Sequence, residues 1–475
     1  MKCCIFYLIC SLLININLFS AINYYPTPNS FIIPDSDIIL IPESERPLNF
    51  IILGNNSKNF ISLKSTSFLH NAYFNEVEEN LWMLSFELTH GRIINALPDN
   101  TQIYFAITND KEKKYFINYL MKKCSFDKNS IKKRVHFFKC NSPVLWTQDA
   151  GEILGRSSNG KIIFLINDKD TYSFALNNLF KFFPDLFSLH KSSDLLSIEG
   201  GDIEIAWNVN RKGVIALIGR HRVLEYLLRK EGVDYKNIAI SPDKINEIKN
   251  AYKNLFYNIR VEIIPEKILM QPSIATNELF HLDMVVTILA NNENTYAFVP
   301  YYEKTTGNID IVLKNVLDES FAKKLQAEYD EIANQLKEIG YYVVRLPIYD
   351  HPVRSPTNII KFINKKTEKP TVLLGKYPYY NFAVPKEESP FAKIEKSIFN
   401  IASAVKLFEK NPNNDNYSYV LTAINLLWKI FNDEYSSKNP YFEKQKKIFT
   451  DYGFDVIEVP TCASGSGGLH CTVLY

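Results

Sequence analysis

Cys462-Ala463-Ser464-Gly465-Ser466-Gly467-Gly468-Leu469-His470-Cys471-Thr472 is a run of small residues that ends in a histidine and a cysteine, with apolar sequence on either side. Glycine carries no Cβ, so such a loop lets backbone approach a ligand closely. A cysteine at its rim becomes a nucleophile when nearby positive charge favours the thiolate. A buried cysteine is equally a small core hydrophobe, so the stretch gains its meaning from three others. They are Trp146-Thr147-Gln148-Asp149-Ala150-Gly151-Glu152, Ile198-Glu199-Gly200-Gly201-Asp202-Ile203-Glu204 and Phe280-His281-Leu282-Asp283-Met284-Val285. In each, carboxylates or a histidine interrupt apolar, strand-like sequence. Taken singly, each reads as a capped turn or a core histidine with satisfied partners. The i, i+2 spacing of His281 and Asp283 puts both on one face of an expected strand, with Leu282 and Met284 on the other.

In their order along the chain, the four segments resemble the motifs of the guanidino-modifying enzyme superfamily. The likeness is greatest to agmatine deiminases and to the bacterial, porphyromonad-type peptidylarginine deiminases. Those motifs run W-x-R-D-x-G-P, E-G-G-[ND]-I, H-x-D and G-G-x-[IL]-H-C. Here they stand as Trp146 to Gly151, Glu199 to Ile203, His281 to Asp283 and Gly467 to Cys471. Weaker similarity lies upstream, at Glu45-Arg46-Pro47 and at Ala96-Leu97-Pro98-Asp99. The resemblance covers the chain from about residue 35, with a gap near 383–440. Gln148 replaces the motif's Arg, Glu152 its Pro, and the last motif is one residue shorter before His470.

A guanidinium is planar, presents five donors and stays charged, its pKa being above about 12. Attack on its central carbon needs a rigid grip and a strong nucleophile. Two carboxylates can grip its edges through charge-assisted hydrogen bonds, a thiolate can attack, and a histidine can move the protons. The resemblance implies these roles residue by residue. Cys471 is the nucleophile that forms a thiouronium-type intermediate, and His281 is general acid and base. Asp149 and Asp283 hold the guanidinium, and Glu199 orients the histidine. Trp146 walls the site, and Gly468, with Gly467, Gly200 and Gly201, allows close backbone approach. His470 points away from its neighbour Cys471 in an extended strand, so it reads as structural. Arg220 and Arg222 match no motif and read as a solvated helix start, with a substrate carboxylate as the other use. No cofactor and no metal is implied, and no Cys/His spacing suits zinc.

The implied fold is α/β, a pentein-type propeller of five ββαβ units about a pseudo-fivefold axis. Spacing alone supports the α/β class, because strand-like and helical stretches alternate. Ile203–Asn208 and Val214–Ile218 read as a hairpin. Val261–Ile264, Met284–Leu289 and Tyr296–Val299 read as strands, and a long helix over Asp318–Ile339 leads to a strand at Tyr342–Leu346. Further helices are expected at Phe391–Glu409, Tyr417–Ser436 and Tyr441–Tyr452, with a strand at Asp455–Val459.

The 475 residues are 46% hydrophobic and 22% charged, enough apolar sequence to build a large core. A formal charge of +2 gives no basic footprint for nucleic acid and no acidic tail. Lys2, an apolar stretch from Cys3 to Leu13, further apolar residues to Phe19 interrupted by Asn15 and Asn17, and then Ser20-Ala21 have the layout of a secretory leader, with an uncleaved N-terminal anchor as the alternative. The expected organisation is therefore a signal peptide over 1–21 and one deiminase domain over 22–475, with a helical insertion at about 383–440. The product would be secreted or periplasmic, with no stable membrane span after cleavage. Export points to arginine in a peptide or protein as the substrate, and to citrulline and ammonia as products. The alternatives are agmatine deiminase activity and a catalytically silent secreted binding protein on the same scaffold. Four of the seven cysteines lie beyond the leader, and one disulfide among Cys124, Cys140 and Cys462 is open. The oligomeric state is not legible.

Overall fold

A computed structural model describes residues 31–33, 36–54, 72–140, 151–167, 173–235, 238–270, 281–302, 319–348, 355–377, 390–436, 438–461 and 470. Phe31–Ile32 (β1) and Ile38–Leu40 (β2) pair antiparallel. Phe50–Leu53 (β3), Gln102–Ile107 (β4) and Val135–Lys139 (β5) form a parallel sheet. Glu152–Ser157 (β6) and Ile162–Ile166 (β7) pair antiparallel, Phe187–Lys191 (β8) runs parallel to β7, and β2 adds to the outer side of β6.

That order of an antiparallel pair followed by a parallel strand recurs three times. Ile203–Trp207 (β9), Val214–Gly219 (β10) and Arg260–Ile264 (β11) make one sheet. Thr287–Ala290 (β12), Thr295–Tyr302 (β13) and Tyr342–Ile348 (β14) make the next. Ile360–Asn364 (β15), Lys369–Lys376 (β16) and Asp455–Pro460 (β17) make the last. A parallel return needs a crossover, and helices supply it. Ala72–Phe86 (α1) and Asp110–Lys123 (α2) belong to the first sheet, and Ser173–Phe182 (α3) to the second. Arg220–Glu231 (α4) and Pro242–Leu255 (α5) precede β11, and Glu319–Ile339 (α6) precedes β14. Pro390–Lys410 (α7), Asn414–Ser436 (α8) and Pro440–Asp451 (α9) precede β17. The fold is α/β with mixed sheets.

Successive strand residues face opposite sides, and here both sides are buried. Phe50 and Ile52 of β3 pack with Phe164 and Ile166 of β7, while Ile51 and Leu53 pack with Phe362 and Leu373 of β15 and β16. Leu154 and Leu165 share a core with Ile205 and Ala216. Ala206 and Leu217 share one with Ile288 and Val299, and Phe298 and Leu346 share one with Val372 and Leu374. Each sheet thus shares one core with the sheet before it and another with the sheet after, and the fifth core returns to the sheet of β3. Strands buried on both faces read as continuous apolar runs, as "IIFLI" and "VIALIG" do.

Helices α7 and α8 fall in the 383–440 stretch. They join α1 in a separate core of Val77, Leu81, Leu84, Ile401, Phe408 and Leu427. Cys124 is partly buried and Cys140 buried, and no disulfide joins the two. The leader and Cys462 lie outside the described residues. Among the described residues no helix is long and apolar enough to cross a membrane.

Candidate functional site

Two short 3₁₀ turns bring the second and third motifs together. Gly200–Asp202 forms one, closed by the Asp202 amide donating to the Glu199 carbonyl at 2.9 Å. Leu282–Met284 forms the other, so His281 stands at the start of a turn and Asp283 within it, and not in a strand as expected; β12 begins only at Thr287. The reason lies in Asp202, whose Oδ1 accepts from the Leu282 amide at 3.0 Å and binds one turn to the other. His281 and Asp283 still converge. A Cβ on Gly201 would lie 2.6 Å from His281 Nδ1 and 3.4 Å from Asp283 Oδ2, so the absent side chain of Gly201 is what admits the imidazole.

His281 Nε2 donates to Glu199 Oε1 at 2.9 Å. The other oxygen, Oε2, is held by the Arg222 guanidinium. Burial pushes the Glu199 carboxyl up, but the His281 hydrogen bond and the Arg222 charge outweigh it and hold it down at about 2. Glu199 is therefore an anion at any working pH, and it fixes the Nε2–H tautomer of the neutral ring.

Arg222 is no solvated helix start. It is 3% exposed. Its Nε and its backbone amide both donate to Asp202 Oδ2 at 3.1 Å, and Nη1 meets Ser197 Oγ at 2.5 Å and Glu225 at 2.9 Å. Arg220 is also buried and pairs with Glu328 at 3.0 Å. Charged sequence misleads here because the partner carboxylates come from distant segments, and a buried charge survives only when paired. With its donors spent on Glu199, Asp202 and Glu225, Arg222 is not available for a substrate carboxylate. Asp202, pushed up to about 6 by burial against Arg222, had no role in the motif reading, although it sits inside the second motif. His221 stands among the same charges, and burial and the Arg222 charge push it down.

A second charged cluster lies behind Asp283. Lys361 of β15 pairs with Glu43 at 2.8 Å and with Glu204 of β9 at 2.6 Å, and donates to Thr287 Oγ1 of β12 at 3.1 Å. Arg46 pairs with Glu152 of β6 at 3.2 Å. Lys361 thus links Glu43 to polar residues of β9 and β12, and Arg46 ties the same segment to β6. Burial pushes Lys361 down, but Glu204 and Glu43 outweigh it, and its pKa rises. Burial likewise pushes Glu43 up, yet Lys361 and His470 hold it well below the usual range. Glu152 is pushed up to about 8 by burial and by Glu43, against Arg46.

His470 completes this cluster. It is 4% exposed, with Nε2 2.5 Å from Glu43 Oε1 and Nδ1 2.8 Å from Asp283 Oδ2. Its amide donates to Asn358 Oδ1 at 2.7 Å, and Asn358 Nδ2 donates to Asp283 Oδ2 at 2.8 Å. The structure thus brings Glu199, Gly201, His281 and Asp283 together and ties the last motif to them through His470. Trp146, Asp149, Gly468 and Cys471 lie outside the described residues. Among the described residues no group of His, Cys, Asp and Glu could hold a metal ion.

No protein-family model and no curated protein matches the chain. Its overall structure is similar to that of a solved protein assigned provisionally as an agmatine deiminase, with 11% identity, a TM-score of 0.48 and coverage of 91% of this chain and 94% of that one, a likeness too distant to carry an argument about function.

Proposed function

We propose that this chain hydrolyses a guanidinium group, converting arginine in a peptide or protein to citrulline and ammonia. The observation that carries the reading is the Glu199–His281 pair standing beside Asp283 at Gly201. It joins a proton carrier to a carboxylate suited to a permanent cation, in the motif order that places Asp149 and Cys471 in the gripping and attacking positions.

Asp283 and Asp149 hold the guanidinium by charge-assisted hydrogen bonds. The Cys471 thiolate bonds to the central carbon, and the C–N bond to a terminal nitrogen breaks. That nitrogen leaves as ammonia, with a proton from the His281 imidazolium, so a covalent thiouronium remains. Water then adds to the carbon and gives its proton to His281. The C–S bond breaks as the hydroxyl oxygen forms C=O and its proton passes to the released ammonia through solvent, which yields the ureido product and restores the thiolate. With Nε2 anchored on Glu199, the proton is exchanged at His281 Nδ1. Five units about one axis, as in a pentein propeller, are the fold proposed with this reading; the succession of shared cores and the meeting of strand residues at Lys361 support it.

The leader-like residues 1–21 support a secreted or periplasmic protein and hence a polypeptide substrate. The test is a substrate comparison on protein beginning near residue 22. Higher kcat/KM for peptides with internal or terminal arginine supports the peptidylarginine reading. Far higher kcat/KM for agmatine replaces it with agmatine hydrolysis. Tight binding of an arginine peptide without turnover replaces it with the silent binding protein.

A further inference from the structure

His470 faces a carboxylate with each ring nitrogen, Glu43 Oε1 at 2.5 Å and Asp283 Oδ2 at 2.8 Å. An ionised carboxylate only accepts, whereas a neutral imidazole offers one donor and one acceptor. Glu43 is ionised, since its second oxygen pairs with Lys361 at 2.8 Å. The orientation of Asn358 is fixed as well, because its Oδ1 accepts from the His470 amide and its Nδ2 must then donate to Asp283. A neutral ring would set a lone pair against an oxygen that already accepts elsewhere. Both ring nitrogens therefore carry protons.

We infer that His470 is an imidazolium that holds Asp283 in place and favours the thiolate of Cys471, one peptide bond away. It is a positioning residue for the reaction proposed above, on which this inference rests. The groups facing it come from several elements. Glu43 lies on the turn before β3, Asp283 on the turn before β12 and Asn358 ahead of β15. Lys361 acts through Glu43, and Glu152 stands beside them on β6, its carboxyl pushed up to about 8 by burial. The direction of its titration agrees. Burial alone would push the ring down, but the charges and hydrogen bonds of Glu43 and Asp283 outweigh it and lift it to about 10. Without the imidazolium, Glu43 would keep its pairing with the Lys361 charge and Asp283 its hydrogen bond from neutral Asn358, which leaves excess negative charge beside the ring. The local field would then oppose the thiolate instead of favouring it.

Two measurements decide it. In full-length protein carrying ¹⁵N-histidine, both ring nitrogens of His470 should be protonated throughout pH 6–9; a ring with a single N–H overturns the inference. Iodoacetamide alkylation of Cys471 at pH 7, located by peptide mass mapping, should be about tenfold slower in His470→Gln than in wild type, the effect of about one unit in thiol pKa. An unchanged rate in folded His470→Gln overturns the inference even if the wild type is an active deiminase. If His470→Gln does not fold, the ring measurement on the wild type decides alone. A protonated ring and slowed alkylation, in a protein that turns over no guanidine compound, leave the imidazolium standing and remove the deiminase reading instead.

Discussion

The imidazole of His281 is anchored through Nε2 on Glu199 Oε1 at 2.9 Å, and Arg222 clamps the second oxygen of the same carboxylate. Glu199 is thereby shared between a fixed cation and a titratable one. The fixed charge keeps the carboxylate ionised, and the carboxylate sets the tautomer of the ring. The backbone of Gly201 sets how deep the ring sits.

Gly201→Ala should therefore damage activity more than stability. The new Cβ would stand 2.6 Å from His281 Nδ1, so the ring must shift away from Glu199 or from the substrate. A displacement near 1 Å at such a site costs about 10²-fold in rate. Steady-state kinetics beside a melting curve checks this. Wild-type kcat in Gly201→Ala would contradict the close packing.

Asp149→Asn and Asp283→Asn should each lower kcat/KM by about 10- to 150-fold, because a hydrogen bond to a charged group contributes about 1.5–3 kcal/mol. The two should differ in stability. Asp283 also accepts from His470 and Asn358, so Asp283→Asn should melt lower than wild type. Unchanged kinetics in both variants would remove the gripping role.

Lys361→Met should cost about 3–5 kcal/mol, since it removes the lysine charge shared by two buried carboxylates and leaves Glu204 without a cation. Adding Glu204→Gln should recover part of the loss by removing the stranded charge. Urea denaturation of the single and double variants checks both statements. A Lys361→Met protein as stable as wild type would mean that the cluster is not the interior cross-link described above.

Stability should also depend on pH in two windows. His470 is raised in the folded state to about 10 from an ordinary 6.5, so its contribution is full below 6.5 and is lost as pH rises through 10. Glu199 is depressed to about 2 from 4.5, so its contribution is present above 4.5 and is lost as pH falls through 2. Thermal midpoints measured across pH should decline on both sides, and His470→Gln should flatten only the alkaline side. An alkaline decline of equal slope in that variant would assign the effect to another group.

Sequence patterning legibly marked elements with one clear period or a cap. The hairpin of β9 and β10, the long α6 and the crossover into β17 form within a few residues of their expected positions. Helix α1 was hidden because it has no single apolar stripe. Trp82, Met83 and Phe86 enter the core of β3–β5, while Val77, Leu81 and Leu84 enter the core shared with α7 and α8. Helix α5 went unread although Ser241-Pro242 is a start signal, with Ser241 capping the Lys244 amide. At the site, the motifs marked Glu199, His281 and Asp283. They could not mark Arg222, Glu43 or Lys361, whose meaning depends on partners 20 or more residues away in sequence. The strand expected at His281–Asp283 became a turn because Asp202 caps it from outside the segment.

The central claim is covalent hydrolysis of a guanidinium at Cys471, and quantified product formation tests it most directly. Protein beginning near residue 22 is incubated with an internal-arginine peptide, a terminal-arginine peptide and agmatine, beside Cys471→Ser. The account predicts ammonia and ureido product in equal amounts from at least one of them. It also predicts no turnover in folded Cys471→Ser, because a hydroxyl of high pKa does not replace the thiolate. No ureido product from any of the three with folded wild-type protein, or wild-type rates in Cys471→Ser, would contradict it.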